Sequence, residues 1–557
     1  MAAAHPELLW IVITSGFICA VMAMSIGAND VANAFSTSVG SGSLKLRGAV
    51  SIACVFEIVG AILLGGSVTD SIRTKVLNFE AFRDDPTVLA MGMMCSSAGA
   101  TIWLVIATWF GIPVSTTHSI IGALAGFGVA SGRVDSIRWM KLFYIILSWL
   151  VVPLIAVIVS CAMYILLQET ILKRKRPFLI MWYGMWFLLS ISSIPLVVFL
   201  SFENPLMRAD VSEGGTYDYQ QWFKASTGNK VLTVFVVHIT TVVILSTFSY
   251  ICSYMRLKAG WTFLENQPKE VESLSAKNNH SKSILLPQRA QSMEFKVGSA
   301  NLEVTNLSNT SSSPHSAVDR LLQSAIDTEK GQVPLETIKE SENHKTEVVF
   351  SAMQIIGAAT VIISHSANDT ANAVAPFATV LLLYLKGLTD DPVPTPWYVL
   401  LGGGLSMSLG LSLFGYKVIK NVGLNLARVT PSRGYTIDST AGSLVLVLSQ
   451  IGIPLSSTHC AVSSIMGVGL VGNLTSQEYD QEVRIMELKP PPKYFWQRIP
   501  IFRRITTQYV NMRLYRKIFI TWITTMFFSG IMSSMIFVVT NFIVKVIKND
   551  TPTAAAS

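Results

Sequence analysis

Long apolar runs alternate with polar breaks along this chain, on a scale too coarse for strands or for surface helices. Leu8–Ile26, Gly48–Gly66, Val88–Thr108, Met140–Leu167, Phe178–Ser201, Val231–Met255, Trp397–Gly415 and Ile518–Val546 are long enough, or nearly so, to cross a bilayer as helices. Shorter apolar pieces at Phe350–Ile363, Val374–Leu385, Ser443–Ile453 and Ala461–Gly472 predict halves of interrupted helices or re-entrant hairpins. About ten to twelve spans are expected in all. The stretch Arg256–Glu347 breaks the pattern: it is rich in Ser, Asn, Lys and Glu, contains "SNTSSSP", and has no apolar periodicity. Such a segment predicts a largely disordered linker. The expected division is therefore a first repeat at 1–172, additional helices at 173–255, a linker at 256–348, and a second repeat at 349–548 containing a basic loop at 476–517.

Composition fixes the solvent. With 51% hydrophobic and 14% charged residues and a mean hydropathy of +0.49, the chain reads as a polytopic membrane protein partnered by a lipid bilayer. A formal charge of +8 raises the question of nucleic acid, but the basic residues cluster beside the spans, where they report orientation. No nucleic-acid partner is expected. Lys45, Arg47, Lys173–Arg176, the Lys417 to Arg433 stretch and the Arg484 to Lys517 stretch predict cytoplasmic loops; Thr69–Pro86, Phe202–Lys230 and Lys386–Pro396 predict outward ones. Both termini then lie outside and the linker inside, with the plasma membrane as the expected location. The N-terminal "MAAAHPELLW" lacks a basic n-region, so the first run reads as a retained span. The cysteines, at 19, 54, 95, 161, 252 and 460, lack metal-type spacing and predict free, packed thiols.

The two apolar halves repeat. "SIGANDVANAF" at Ser25–Phe35 returns as "SHSANDTANAVAPF" at Ser364–Phe377, and "GIPVSTTHSIIGALAGFGVASG" at Gly111–Gly132 returns as "GIPLSSTHCAVSSIMGVGLVGN" at Gly452–Asn473. The offsets are 339 residues from Asn29 to Asn368 and 341 from Pro113 to Pro454. The loop after the first Asn-Asp motif reads inside while its counterpart reads outside, so the repeats are expected to be inverted. The fold class predicted is all-α, with two inverted-topology repeats, broken helices and re-entrant hairpins, and a site near the midplane between them.

Each repeat supplies the same inventory: a carboxylate (Asp30, Asp369), amides (Asn29, Asn33, Asn368, Asn372), hydroxyls (Ser115, Thr116, Thr117; Ser456, Ser457, Thr458) and a histidine (His118, His459). Pro113 and Pro454 precede the hydroxyl runs, which suits helix N-termini. Free N–H groups at such termini, with hydroxyls beside them, suit an oxyanion such as phosphate or sulfate. The motifs hold carboxylates and no Lys or Arg, so charge balance calls for a small hard cation bound alongside, held by Asp30, Asn29, Asp369 and Asn368. Glu57, mid-span in "ACVFEIVGA", and Asp438 in "SRGYTIDSTAG" are further intramembrane carboxylates. Plainer readings exist for each: an interhelical polar contact for an Asn-Asp pair, a packed or capping role for His118, a helix-start role for Asp438, and close helix packing for "LLGG" and "LGGGLS".

At these residues the chain resembles the inorganic phosphate transporter (PiT) family of sodium-coupled phosphate symporters. The signature G-A-N-D-V-[AS]-N-[AS] stands intact at Gly27–Ala34 and departs in its second copy at Ser366 and Thr370; G-x-P-x-S-T-T-H is intact at Gly111–His118, with Ser457 replacing the first Thr in the second copy. The resemblance covers both apolar halves and not the linker. It implies inverted repeats with two re-entrant hairpins and sodium and phosphate held between them. Asp30, Asn33, Asp369 and Asn372 match signature positions, Ser115–Thr117 and Ser456–Thr458 match hairpin positions, and Glu57 and Asp438 match carboxylates associated with transport, Asp438 standing where the family usually has Glu.

The expected function is sodium-coupled phosphate symport by alternating access. Phosphate is held by the hairpin hydroxyls with Asn33 and Asn372, and Glu57, Asp438, His118 and His459 are associated with transport. Proton coupling, sulfate as substrate, and a phosphate-sensing receptor stay open as alternatives. No nucleophile-base-orienter set is visible, so an enzyme is not expected, nor is any cofactor beyond the coupling ions. A homodimer is a candidate assembly.

Overall fold

The computed structural model describes residues 5–203, 226–259, 335–388, 393–415, 429–450, 455–475 and 512–550. Among them there is no strand; an isolated antiparallel bridge joins Leu77 to Ile137. The helices are α1 (Leu9–Asn29), α2 (Val31–Gly40), α3 (Leu46–Lys75), α4 (Pro86–Trp109), α5 (Thr116–Ala130), α6 (Trp139–Leu167), α7 (Pro177–Glu203), α8 (Thr227–Lys258), α9 (Leu335–Lys386), α10 (Trp397–Phe414), α11 (Pro431–Gln450), α12 (Ser457–Thr475) and α13 (Met512–Asp550). Among the described residues nine helical stretches are long and apolar enough to cross a membrane, and Thr116–Ala130 and Ser457–Val471 are shorter apolar helices.

Local chemistry sets the helix ends around the hairpin α4–α5. Asp85 caps α4 by accepting from Val88 N at 3.2 Å, with Pro86 at the first helical position. The helix stops at Gly111, whose φ of 64° suits glycine. Ile112 N bonds Ala107 O at 2.9 Å and Gly111 N bonds Thr108 O at 3.0 Å, a Schellman termination. Ser115 then caps α5 by accepting from His118 N at 3.3 Å, and Ser456 does the same for His459 N at 3.3 Å.

Packing follows the sequence repeat. Matched in order along the chain, α1 corresponds to α9, α3 to α10, α4 to α11, α5 to α12 and α6 to α13. The neighbours obey this exchange: α3 packs on α9 as α10 packs on α1, α5 on α13 as α12 on α6, and α4 on α1 as α11 on α9. Two of the equivalent pairs, α1 with α9 and α3 with α10, run antiparallel to each other. His5 N bonds Tyr384 O at 3.2 Å and Gly16 meets Phe377, so the start of α1 lies beside the end of α9. Likewise Cys54 on α3 faces Ser412 on α10 at 3.3 Å, while Gly65 meets Leu400.

Because lipid is as apolar as the helices, close backbone packing and hydrogen bonds hold such a bundle together more than apolar burial does. A Cβ on Gly27 would stand 2.0 Å from Met407 O, and one on Gly410 would stand 1.8 Å from Met24 O. Alanine at either position would push α1 off α10. Outside this core, α6, α7, α8 and α13 expose rows of large apolar side chains, as a lipid-facing surface requires. The six cysteines are all free and buried or half-buried, as their spacing predicts.

Two expectations need correction. Phe350–Ile363 and Val374–Leu385 are not halves of an interrupted helix: both belong to α9, a continuous helix of 52 residues with Pro376 inside it. The polar stretch between them does not break the helix because most of its polar atoms find partners there, Ser364 bonding Thr360 O at 2.9 Å and others bonding to neighbouring helices. The first Asn-Asp motif is interrupted by one residue, Asp30, which keeps αR backbone angles and bonds Ile26 O at 2.8 Å. Nor is all of 256–348 without structure: α8 continues to Lys258 and α9 begins at Leu335. Residues 260–334 of the expected linker, and Pro454, lie outside the described residues.

Candidate functional site

The two Asn-Asp motifs and the two hairpin tips meet in one buried cluster. Asp30 and Asp369 are both almost fully buried, and with His365 they bring ligand atoms within 4.8 Å of one another. Hydroxyls reach across the repeats. Thr458 of the second hairpin donates to Asp30 Oδ1 at 3.1 Å, and Thr116 of the first donates to Asp369 Oδ1 at 3.1 Å. Thr117 Oγ1 donates to Leu455 O at 3.0 Å, so the starts of α5 and α12 face each other. The N–H groups of Thr116 and Thr117, in the first turn of α5, have no intrahelical acceptor, and the same holds for the first turn of α12.

Asp369 sits in a web of donors. Asn372 Nδ2 donates to its Oδ1 at 2.8 Å and Asn368 Nδ2 at 3.0 Å, and Ser457 Oγ donates to Oδ2. Asn372 Nδ2 also lies 3.0 Å from Thr116 Oγ1 and 3.1 Å from Thr117 Oγ1. His365 bridges two acids: Nδ1 is 3.1 Å from Glu57 Oε1 and Nε2 is 3.0 Å from Asp369 Oδ2. Ser366 Oγ donates to the Glu57 backbone carbonyl. Buried acceptors are left over: Asp30 Oδ2, Glu57 Oε2 and Asn372 Oδ1 have no hydrogen-bond partner. Such oxygens are costly in a membrane interior unless a donor or a hard cation meets them. The cavity beside Asp30, His365, Ser457 and Thr458 is about 10 Å³, roughly one water-sized particle.

Not every predicted residue joins this cluster. Asn29 brackets the first hairpin from behind: its Nδ2 donates to Ile112 O at 3.0 Å and Thr108 Oγ1 at 3.1 Å, and its Oδ1 accepts from Val114 N at 3.0 Å. Asn368 shares that role, donating to Leu455 O at 3.1 Å. Ser115 and Ser456 cap their helices. His118 and His459 pack edge to face, ring centroids 4.5 Å apart, His118 stacked on Trp149 and His459 against Trp522. His118 Nδ1 lies 3.1 Å from Trp522 O. The side chain of Asn33 lies outside the described residues.

Asp438 stands apart, in a second polar cluster. Its Oδ1 accepts from Thr37 at 2.8 Å, and its Oδ2 has no partner. Close by, Ser41 and Ser43 donate to Gln354 Oε1 at 2.7 and 2.6 Å. Thr37 lies two helical turns beyond Asp30, about 10 Å at 1.5 Å per residue.

Sequence reading missed His365, although it lies inside the repeated motif. The available signal was spacing: it precedes Asp369 by four residues, which places both on one helix face, and its counterpart in the first copy is Ile26. Gln354 was also missed, and nothing in its local sequence marks it.

Comparison with known proteins identifies the family. The phosphate transporter family matches residues 26–533. The chain is 35% identical to a sodium-dependent phosphate transporter of Plasmodium falciparum, over 96% of this chain and 97% of that one. It is 26% identical to a sodium-dependent phosphate transporter of Toxoplasma gondii, over 96% and 98%. A solved structure titled the sodium-dependent phosphate transporter shares the fold, with a TM-score of 0.63 at 24% identity, covering 96% of this chain and all of that one. The sequence match along nearly the whole chain, the repeated motifs and the shared fold lead to one conclusion: this chain belongs to the phosphate transporter family.

Proposed function

We propose that the protein is a sodium-coupled phosphate symporter in which two inverted repeats alternate access to a site between the hairpin tips. The observation that carries this reading is the meeting of two helix N-termini, α5 and α12, beside buried carboxylate oxygens that lack partners. The N-termini and the hydroxyls of Thr116, Thr117, Ser457 and Thr458 suit an oxyanion. Asn372 donates beside them, and the backbone run Ser115 to Thr117 with Ser456 to Thr458 frames the anion. Asn33 is assigned to phosphate on its signature position alone.

Sodium suits the orphaned oxygens. Asp30 Oδ2, Asn372 Oδ1 and Glu57 Oε2 are hard donors with unsatisfied valence, and a cation on them offsets the field that phosphate would otherwise meet. Asp369 contributes through the network that orients Asn372 and His365. Asn29 and Asn368 act by holding the hairpins rather than as ligands. Because phosphate and sodium share the site, each strengthens the other's binding by the same factor. Transport, the plasma-membrane location, the extracellular termini and the cytoplasmic linker belong to this one reading, and it treats the protein as a carrier without catalytic chemistry.

Purified protein in liposomes tests it directly. Labelled phosphate is expected to accumulate against its gradient when sodium is high outside, and not when choline, a potassium gradient or a proton gradient replaces it. Accumulation driven equally by protons without sodium overturns the sodium assignment. Uptake of sulfate in place of phosphate overturns the substrate.

A further inference from the structure

A second cavity, outside the site, carries an inference that rests on the reading above. It is about 410 Å³ and lies where the end of α3, the loop after it and the end of α9 meet, with Asp70, Arg73, Thr74, Asn78, Arg138 and Thr379 among its walls. This is the same face as His5 and the Lys386–Pro396 loop, which charge distribution reads as outward.

Its charges are mostly spoken for. Arg73 Nη1 holds Asp70 Oδ1 at 3.2 Å and Val393 O at 2.9 Å, and its Nε reaches Thr379 Oγ1 at 3.3 Å. Asp70 Oδ1 also accepts from Thr395 Oγ1 at 2.8 Å. Glu80 pairs with Arg83, Oε2 to Nε at 2.9 Å. That leaves Arg138, whose guanidinium touches an amide, Asn78 Oδ1, at 3.4 Å, and no carboxylate among the described residues. Its backbone is fixed by the bridge Leu77–Ile137, with Arg138 N bonded to Val76 O at 3.0 Å. A half-buried, positioned guanidinium with no acid partner among the described residues, in a cavity whose other described charges are paired, gives the described walls a positive field.

The cavity points at the site. Thr379 follows Asn372 by seven residues, two turns along one face of α9, about 10 Å. Between them Ile72, Leu77, Met93, Leu124, Ala375 and Pro376, together with Arg73 and Thr379, line a constriction with no room for a water. An oxyanion does not cross so closed a neck unless the walls part.

We infer that this cavity is an outer vestibule in which Arg138 collects inorganic phosphate before the closed constriction admits it to the site. Arg138 acts on the arrival of the anion, and the site's own affinity for sodium does not depend on it.

The test uses the full chain in liposomes, with initial rates of phosphate uptake at saturating sodium and varied choline chloride. Arg138→Gln is expected to raise phosphate KM about threefold or more at low ionic strength while kcat and sodium dependence hold, since removing a steering charge acts on arrival. The difference should shrink as salt screens the field, and Arg138→Lys should recover most of the loss. Thr74→Glu, on an exposed wall position, should raise KM in the same sense and Thr74→Lys lower it. An unchanged KM and salt dependence in Arg138→Gln overturns the vestibule, as does a fall in kcat alone. Should that variant fail to insert, an unchanged KM in Thr74→Glu overturns it. Wild-type protein that takes up no phosphate in sodium overturns the underlying reading instead.

Discussion

The first copy of the motif leaves Asp30 with an oxygen that has no hydrogen-bond partner, while the second copy surrounds Asp369 with Asn368, Asn372, Thr116 and Ser457 as donors and His365 at 3.0 Å. The words A-N-D and A-N are shared; the electrostatics are not. One position makes the difference. Where the second copy has His365, the first has Ile26, and the imidazole ties Asp369 to Glu57 on the other repeat. The second carboxylate is thereby tied to both repeats, while the first keeps one oxygen without a hydrogen-bond partner. In the proposed mechanism the duplicated motif supplies one structural acid and one sodium-binding acid.

Removing each acid should separate those roles, with the largest effect at the second. Asp369→Ala takes the acceptor from Thr116, Ser457 and one nitrogen of His365, and is expected to cost about 3–5 kcal/mol. Thermal unfolding in detergent should show a large fall, against a change within about 1 kcal/mol for Asp30→Ala, which removes one bond from Thr458 together with an oxygen that already lacks a partner. Equal losses would break the comparison.

Asp30→Asn keeps shape and removes charge. Sodium-driven uptake is expected to fall about a hundredfold, near 2.7 kcal/mol, and the stabilisation of the purified protein by added sodium should vanish with it. Sodium stabilisation that survives would move the cation to Asp369 or Glu57.

Ile26→His copies the second repeat's wiring into the first. An imidazole four residues before Asp30 should compete with sodium for that carboxylate, raising the sodium concentration for half-maximal uptake about tenfold. An unchanged value would mean that the neighbouring Glu57, not the histidine, creates the difference.

The smallest expected effect is at the hydroxyl between them. Thr458→Val removes the bond to Asp30 and a bond to Val114 O at 3.5 Å. A loss of about 1 kcal/mol, or roughly fivefold in uptake at limiting phosphate, is expected; a loss as large as that of Asp30→Asn would make Thr458 a sodium ligand in its own right.

The duplication and the helix starts after Pro113 and Pro454 were legible because they are local; Ser115 and Ser456, expected on phosphate, cap those helices instead. The pairing of equivalent helices followed from matched offsets. What was not legible depends on partners far away in sequence. Asn29 reads as an amide in a motif, and only its contacts with Thr108, Ile112 and Val114 turn it into a bracket. Asp438 reads as one more site acid, yet Thr37, some four hundred residues earlier, holds it two turns from the site. The continuity of α9 was hidden because hydropathy registers the polar residues 364–372 as a gap, when their hydrogen bonds with other helices let the backbone carry straight through.

That continuity has a mechanical consequence. A helix of 52 residues is about 78 Å long at 1.5 Å per residue, against a hydrocarbon core of about 30 Å. Asp369 lies about a third of the way along the rod from Lys386, and Leu335 lies about 51 Å away at the other end. Pivoting by 10° at the site sweeps that far end through about 9 Å. Movements of an ångström around the carboxylates therefore leave the membrane amplified, as displacement of a lever arm to which residues 260–334 are attached.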